Sequence, residues 1–173
     1  MRSLACLAQV VLFLLVFSTP RNARADGGDF GAGLILGSPT GVSLKLYLGG
    51  GSGQAVDAGI GFSLLGAEGL HVHADYLFVP AVLVREAKFD LGLYVGVGGR
   101  LLSHDRGHDE SDDVHLGARG PVGLVFDFIK AGVPLDAFVE VALILDMILE
   151  DDDDKHDGLD LDLNAAFGVR YYF

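Results

Sequence analysis

The sequence predicts an all-β chain, an eight-stranded antiparallel up-and-down transmembrane β-barrel. Three observations lead to it. The final fourteen residues alternate without a break: Leu161, Leu163, Ala165, Phe167, Val169, Tyr171 and Phe173 fall on one side, and Asp160, Asp162, Asn164, Ala166, Gly168, Arg170 and Tyr172 on the other. A period of two describes a strand whose faces meet different media, since successive side chains point to opposite faces. The chain is 50% hydrophobic yet strongly acidic, and beyond its start it holds no long apolar run. Those facts coexist when apolar residues occupy alternate positions of many strands. Eight such segments can be read along the chain.

The first, residues 30–37, sets Phe30, Ala32, Leu34 and Leu36 on one face, and Ser38-Pro39-Thr40-Gly41 then reads as a tight turn. Val42, Leu44, Leu46 and Leu48 follow against Ser43, Lys45 and Tyr47. After a glycine-rich connection, Val56, Ala58, Ile60 and Phe62 oppose Asp57, Gly59, Gly61 and Ser63. The fourth segment opposes Leu70, Val72, Ala74, Tyr76 and Phe78 to His71, His73 and Asp75. Pro80, Arg85 and Glu86 mark a looser connection. The fifth sets Phe89, Leu91, Leu93, Val95 and Val97 against Asp90, Gly92, Tyr94, Gly96 and Gly98, with Arg100 continuing the polar side.

In the sixth, Val114, Leu116, Ala118, Val122, Leu124 and Phe126 oppose His115, Gly117, Arg119, Gly123 and Asp127. Pro121 inside this run predicts a bulge or a local break in pairing, because proline donates nothing to a ladder. Ala131-Gly132 turns the chain into the seventh segment, where Leu135, Ala137, Val139, Val141, Leu143 and Leu145 oppose Asp136, Phe138, Glu140 and Asp146. The C-terminal segment is the eighth. Eight strands of this length suit an apolar band of ~25 Å crossed at a tilt. An even number returns both termini to one side.

The start of the chain has the layout of a secretory signal peptide: cationic Met1-Arg2-Ser3, an apolar run over residues 4–17, and Ala23-Arg24-Ala25 before the cut. The run is too short to span a bilayer as a helix, which needs roughly 18 apolar residues. Residues 1–25 are therefore read as a cleaved signal and residues 26–173 as one barrel domain. Cys6, the sole cysteine, leaves with the signal, so no disulfide or cysteine zinc site is available to the mature chain. Removing residues 1–25 leaves 9 basic against 24 acidic side chains, a net charge of −15, which speaks against nucleic acid as a partner.

Four stretches carry a resemblance to a known group: Gly33-Leu34-Ile35-Leu36-Gly37-Ser38-Pro39-Thr40-Gly41, Leu70-His71-Val72-His73-Ala74-Asp75-Tyr76, Arg119-Gly120-Pro121-Val122-Gly123 and Arg170-Tyr171-Tyr172-Phe173. The mature chain resembles the small OmpA-like and OmpX-like outer-membrane barrels, and in particular one bacterial family of them. The alternating Phe167, Val169, Tyr171 and terminal Phe173 resemble the C-terminal insertion signal that the barrel-assembly machinery reads. The resemblance implies a bacterial outer-membrane location and outer-membrane lipid around the wall. With both termini periplasmic, the long charged connections at residues 103–113 and 150–158 fall outside, and the short turn between Phe128 and Pro134 falls inside. Phe30, Tyr76, Phe78, Phe89, Phe126, Tyr171 and Phe173 then gather on the lipid side near the periplasmic rim, as an aromatic belt. The resemblance carries over no catalytic residue and no cofactor.

Candidate sites follow from the polar faces. Eight strands enclose a space that side chains can fill, so the inward charges must pair, since an isolated buried charge costs several kcal/mol. The expected ion-pair network centres on Lys45, Arg119, Glu140 and Arg170, with Asp75 beside it. His71, His73 and Asp75 project together from one strand; they are either hydrogen-bonded members of that network or a metal site of two imidazoles and a carboxylate. Asp109, Asp112 and Asp113, and separately Asp151, Asp152, Asp153 and Asp154, form acidic clusters in the outer connections. They are either solvated loop tips or weak sites for divalent cations such as calcium, or for extracellular ligands.

Three function classes compete. The first is a non-enzymatic structural or surface-interaction barrel. The second is an outer-membrane lipid-modifying enzyme, for which Ser103 beside His104 is the only adjacent nucleophile and base, poorly placed because strand neighbours face opposite ways. The third is a soluble exported barrel with a lipophilic ligand inside, which needs the two faces exchanged.

Overall fold

The computed structural model describes residues 28–48, 53–62, 69–104, 113–149 and 159–173. The signal segment and the clusters at 109, 112 and 151–154 lie outside them, and of Asp113 only the backbone is described. The strands are β1 (Phe30–Gly37), β2 (Thr40–Leu48), β3 (Gln54–Phe62), β4 (Gly69–Arg85), β5 (Asp90–His104), β6 (Asp113–Asp127), β7 (Leu135–Leu149) and β8 (Leu159–Tyr172). Each pairs antiparallel with its sequence neighbours, and β1 closes on β8, so the sheet is an eight-stranded barrel.

The register gives the barrel its tilt. Following the ladder from Gly33 through Ser43, Gly59, His73, Arg100, Gly117 and Asp146 arrives at Asp160, whereas Gly33 itself pairs with Arg170. That stagger inclines the strands to the axis and brings residues distant along any one ladder to the same height.

Alternation sorts the side chains as the sequence predicts. Leu34, Val97, Leu161 and Leu163 are among the large apolar residues exposed on the outside, while Lys45, Asp75, Arg119 and Arg170 are buried inside. Aromatic rings gather at the end that carries the termini: Phe30 with Phe173, Tyr171 with Phe173, Tyr76 with Phe78, and Phe89 with Phe126 and Phe128. Small residues on the inner face make room for large ones. A Cβ on Gly123 would overlap the Tyr94 ring, and one on Gly59 would overlap His73.

Several boundaries differ from the sequence reading. β4 continues through the looser connection to Arg85, with register shifts between Phe78 and Ala81 and between Val82 and Val84. Those bulges interrupt the period of two without ending the pairing. The strand limits shorten the connection expected at residues 103–113, since β5 reaches His104 and β6 begins at Asp113. The first turn contracts to Ser38 and Pro39, because Thr40 and Gly41 already pair with Phe62 and Gly61. Pro121 makes no bulge: it pairs with Ala142 in an unshifted β6–β7 ladder. The break falls on the β5 side, where the ladder passes from Val95–Val122 to Gly98–Arg119 without changing register. The turn after β6 holds a 3-10 segment, Ile129–Ala131, ended by Gly132 at φ 76°.

Candidate functional site: the charged interior

The interior is built in three charged layers, and β7 supplies a carboxylate to each: Asp136, Glu140 and Asp146 in order along the strand. In the layer nearest the termini, Arg170 on β8 pairs with Asp57 on β3 and, at 3.2 Å, with Asp136. Tyr172 Oη donates to Asp136 at 2.6 Å. The Arg170 guanidinium also lies 3.9 Å from the centre of the Phe138 ring. Lys45 Nζ stands 3.8 Å from Asp136, with the Tyr47 ring at 4.7 Å and the Tyr94 ring at 5.7 Å. Its ammonium is therefore held by ring faces as much as by a carboxylate.

In the middle layer Arg119 on β6 bridges Asp75 on β4 and Glu140 on β7. Tyr94 Oη donates to the other Glu140 oxygen at 2.8 Å. At the far end Arg100 on β5 grips Asp146 and reaches Asp162 on β8 at 2.8 Å. Apolar side chains pack between the charges, among them Ile35, Leu77, Val125 and Phe138. The body of the barrel is thus filled by side chains, with opposite charges in contact where solvent is excluded. Such pairs hold together because separating them would leave unpaired charges in a low dielectric.

The four residues expected at the centre of one network lie in two layers. Arg119, Glu140 and Asp75 meet one another, and Lys45 and Arg170 meet through Asp136 instead. Arg100, Asp146 and Asp162 make a third group that was not singled out, although inward parity is legible for each of them. Tyr94 and Tyr172 were also missed as carboxylate partners. The signal was their place on the polar face, where a phenol serves as donor and filler at once.

His71 and His73 stand edge to face, with ring centres 5.3 Å apart, and His73 Nε2 lies 3.8 Å from Asp57. Asp75, their expected third partner, is held by Arg119. Among the described residues no three His, Cys, Asp or Glu side chains come together as a metal-holding group. Both ring nitrogens of His71 lack a protein partner among those residues. Phe167, Val169, Tyr171 and Phe173 all face outward, and the Phe173 N–H donates to Phe30 C=O at 3.0 Å, which ties the last residue to β1. Ser103 and His104 are consecutive residues of β5.

A closed eight-stranded antiparallel wall, apolar outside and charged inside, is the fold of the small OmpA-like barrels. The crystal structure of the N-terminal β-barrel domain of Pseudomonas aeruginosa OprF superposes with a TM-score of 0.51 at 14% identity, covering 85% of this chain and 99% of that one. That likeness is one of fold. No protein-family model matches the chain, and no curated protein sequence matches it.

Proposed function

We propose that this protein is an integral outer-membrane β-barrel whose role is structural and interactive, presenting acidic connections to the surroundings. In this reading residues 1–25 direct export and are cleaved, both termini face the periplasm, and the assembly machinery reads the terminal strand. Lipid surrounds the wall. Divalent cations or extracellular ligands are the partners of the acidic connections, and neither catalysis nor a cofactor is required.

The outer wall carries the reading. Large apolar side chains stand exposed on every strand, from Leu34 on β1 to Phe167 on β8. Such a surface is unfavourable in water and stable in a bilayer, where closure of the barrel satisfies its backbone groups. The interior supports the same conclusion, because ion pairs occupy the space that a lipophilic ligand would need.

The test is electrophoretic mobility of the protein from purified outer membranes, unheated and boiled in SDS. A shift on boiling together with retention in the membrane pellet is expected. A soluble protein whose mobility does not respond to heat would overturn the proposal.

A further inference from the structure

The wall of the barrel is higher on one side of the β1–β8 seam than on the other. β8 pairs with β7 from Leu159 to Tyr171, but with β1 only from Ala166 to Tyr172. Among the described residues, 159–164 therefore have a strand neighbour on one side alone. The aim of their backbone groups follows from bonds lower on the strand. Ser38 N–H donates to Ala165 C=O and Phe173 N–H to Phe30 C=O, both at 3.0 Å, whereas Tyr172 N–H donates to Pro134 C=O at 2.8 Å. Odd-numbered residues of β8 thus point to the β1 side and even-numbered ones to β7. Beyond the end of β1, the N–H and C=O of Leu161 and the C=O of Leu163 face outward along the sheet, with no strand opposite among the described residues. The remaining donor, Leu163 N–H, is taken by the preceding side chain, Asp162 Oδ1, at 2.7 Å.

The side chains of this edge differ by face. Outward, Leu161 and Leu163 are 66% and 65% exposed. On the inward face Asp160 is exposed and the Asp162 side chain is 44% exposed. Asp162 and Asp146 set two carboxylates against one guanidinium, that of Arg100.

We propose that the free edge of β8 is a docking site for an extended strand of another protein, one in which apolar and basic residues alternate. Its backbone would pair with Leu161 and Leu163, its apolar side chains would cover those leucines, and its basic ones would meet Asp160 and Asp162. The charge pattern favours such a partner over a second copy of this chain. Two β8 edges joined about a two-fold axis would set the aspartates of both copies on one face. The inference uses the outer-membrane reading only to say from which side the edge is reached.

The test uses the full mature chain, folded in detergent, and synthetic heptapeptides at physiological salt. Binding of a lysine–valine alternating peptide is expected, with none of a glutamate–valine peptide. A lysine–proline peptide of equal charge, in which the residues opposite Leu161 and Leu163 have no N–H to donate, should also fail. Leu161→Pro removes the outward donor while leaving the N–H groups that point to β7, and should weaken lysine–valine binding severalfold, up to about tenfold, as loss of one net hydrogen bond implies. Equal binding of the lysine–valine and lysine–proline peptides, no lysine–valine binding by a folded parent, or dimerisation of the parent through this edge would each overturn the inference. If the proline variant does not fold, the peptide comparison on the parent decides. The heat shift of the same samples separates the two readings, since a folded, heat-modifiable barrel that ignores every peptide sinks this inference and leaves the membrane reading standing.

Discussion

Arg119 shows what a single residue does in this interior. Its guanidinium is the contact between Asp75 and Glu140, and the side chains of all three are nearly inaccessible. Arg119→Met keeps length and bulk but leaves two carboxylates facing each other without a counter-charge. Removing one partner of a buried pair costs about 3–5 kcal/mol, so the urea midpoint of the refolded barrel should fall. An unchanged midpoint would show that the layer contributes nothing to stability. Tyr94→Phe is the milder change. It deletes one donor to Glu140 while Arg119 still satisfies the carboxylate, and a loss of about 1–3 kcal/mol is expected. Urea denaturation should therefore rank Tyr94→Phe between the parent and Arg119→Met; the reverse order would refute the assignment of Glu140 primarily to Arg119.

At the scale of the element, the two-residue period is what the strands cannot lose. β8 carries Arg170 and Tyr172 inward and Val169, Tyr171 and Phe173 outward. Inserting one alanine between Gly168 and Val169 exchanges those faces for the terminal part of the strand, setting Arg170 on the outward, apolar face. The insertion should abolish the heat-shifted folded form on SDS gels, and inserting two alanines should restore part of it. Equal damage from one and two would show that length, not parity, is what matters. β4 makes the complementary point. It absorbs two shifts of register and continues to Arg85, because bulges where the partner tolerates an unpaired residue keep the rest of the ladder in step. β6 accommodates Pro121 in a different way, by leaving the β5 side of the ladder unbonded there and keeping the β7 side whole.

At the scale of the whole molecule, closure joins an apolar wall to a charged filling. The layer nearest the termini pairs two cations with two carboxylates, and the other two layers each set one guanidinium against two carboxylates, whereas the net charge of −15 on the mature chain arises largely in the connections at residues 105–113 and 150–158. If those acidic runs hold hard cations, millimolar calcium should raise the thermal or urea midpoint of the folded barrel. Changing Asp151, Asp152, Asp153 and Asp154 together to Ser should then reduce that gain. A parent protein indifferent to calcium would leave the runs as solvated tips, which keep the surface charged and soluble.

The number of strands, their antiparallel order and the face of nearly every side chain were legible in the sequence. Alternation is a local property, and each residue carries it regardless of what lies across the barrel. The inward parity of Lys45, Asp75, Arg119, Glu140 and Arg170 was legible for the same reason. Which of them meet was not. Contacts inside a barrel depend on the stagger accumulated around eight ladders, and that stagger sets Arg170 on Asp57 and Asp136 and leaves Glu140 to Arg119 and Tyr94. Strand ends showed the same limit. Bulges in β4 and the short hairpin of β1 and β2 break or end the pattern for reasons that lie in the neighbouring strand. The sequence by itself thus determined the architecture and its two faces, apolar outside and charged inside, because both follow from a period of two. Only the tertiary structure decided the three charged layers and the open upper edge of β8, because register is a relation between strands.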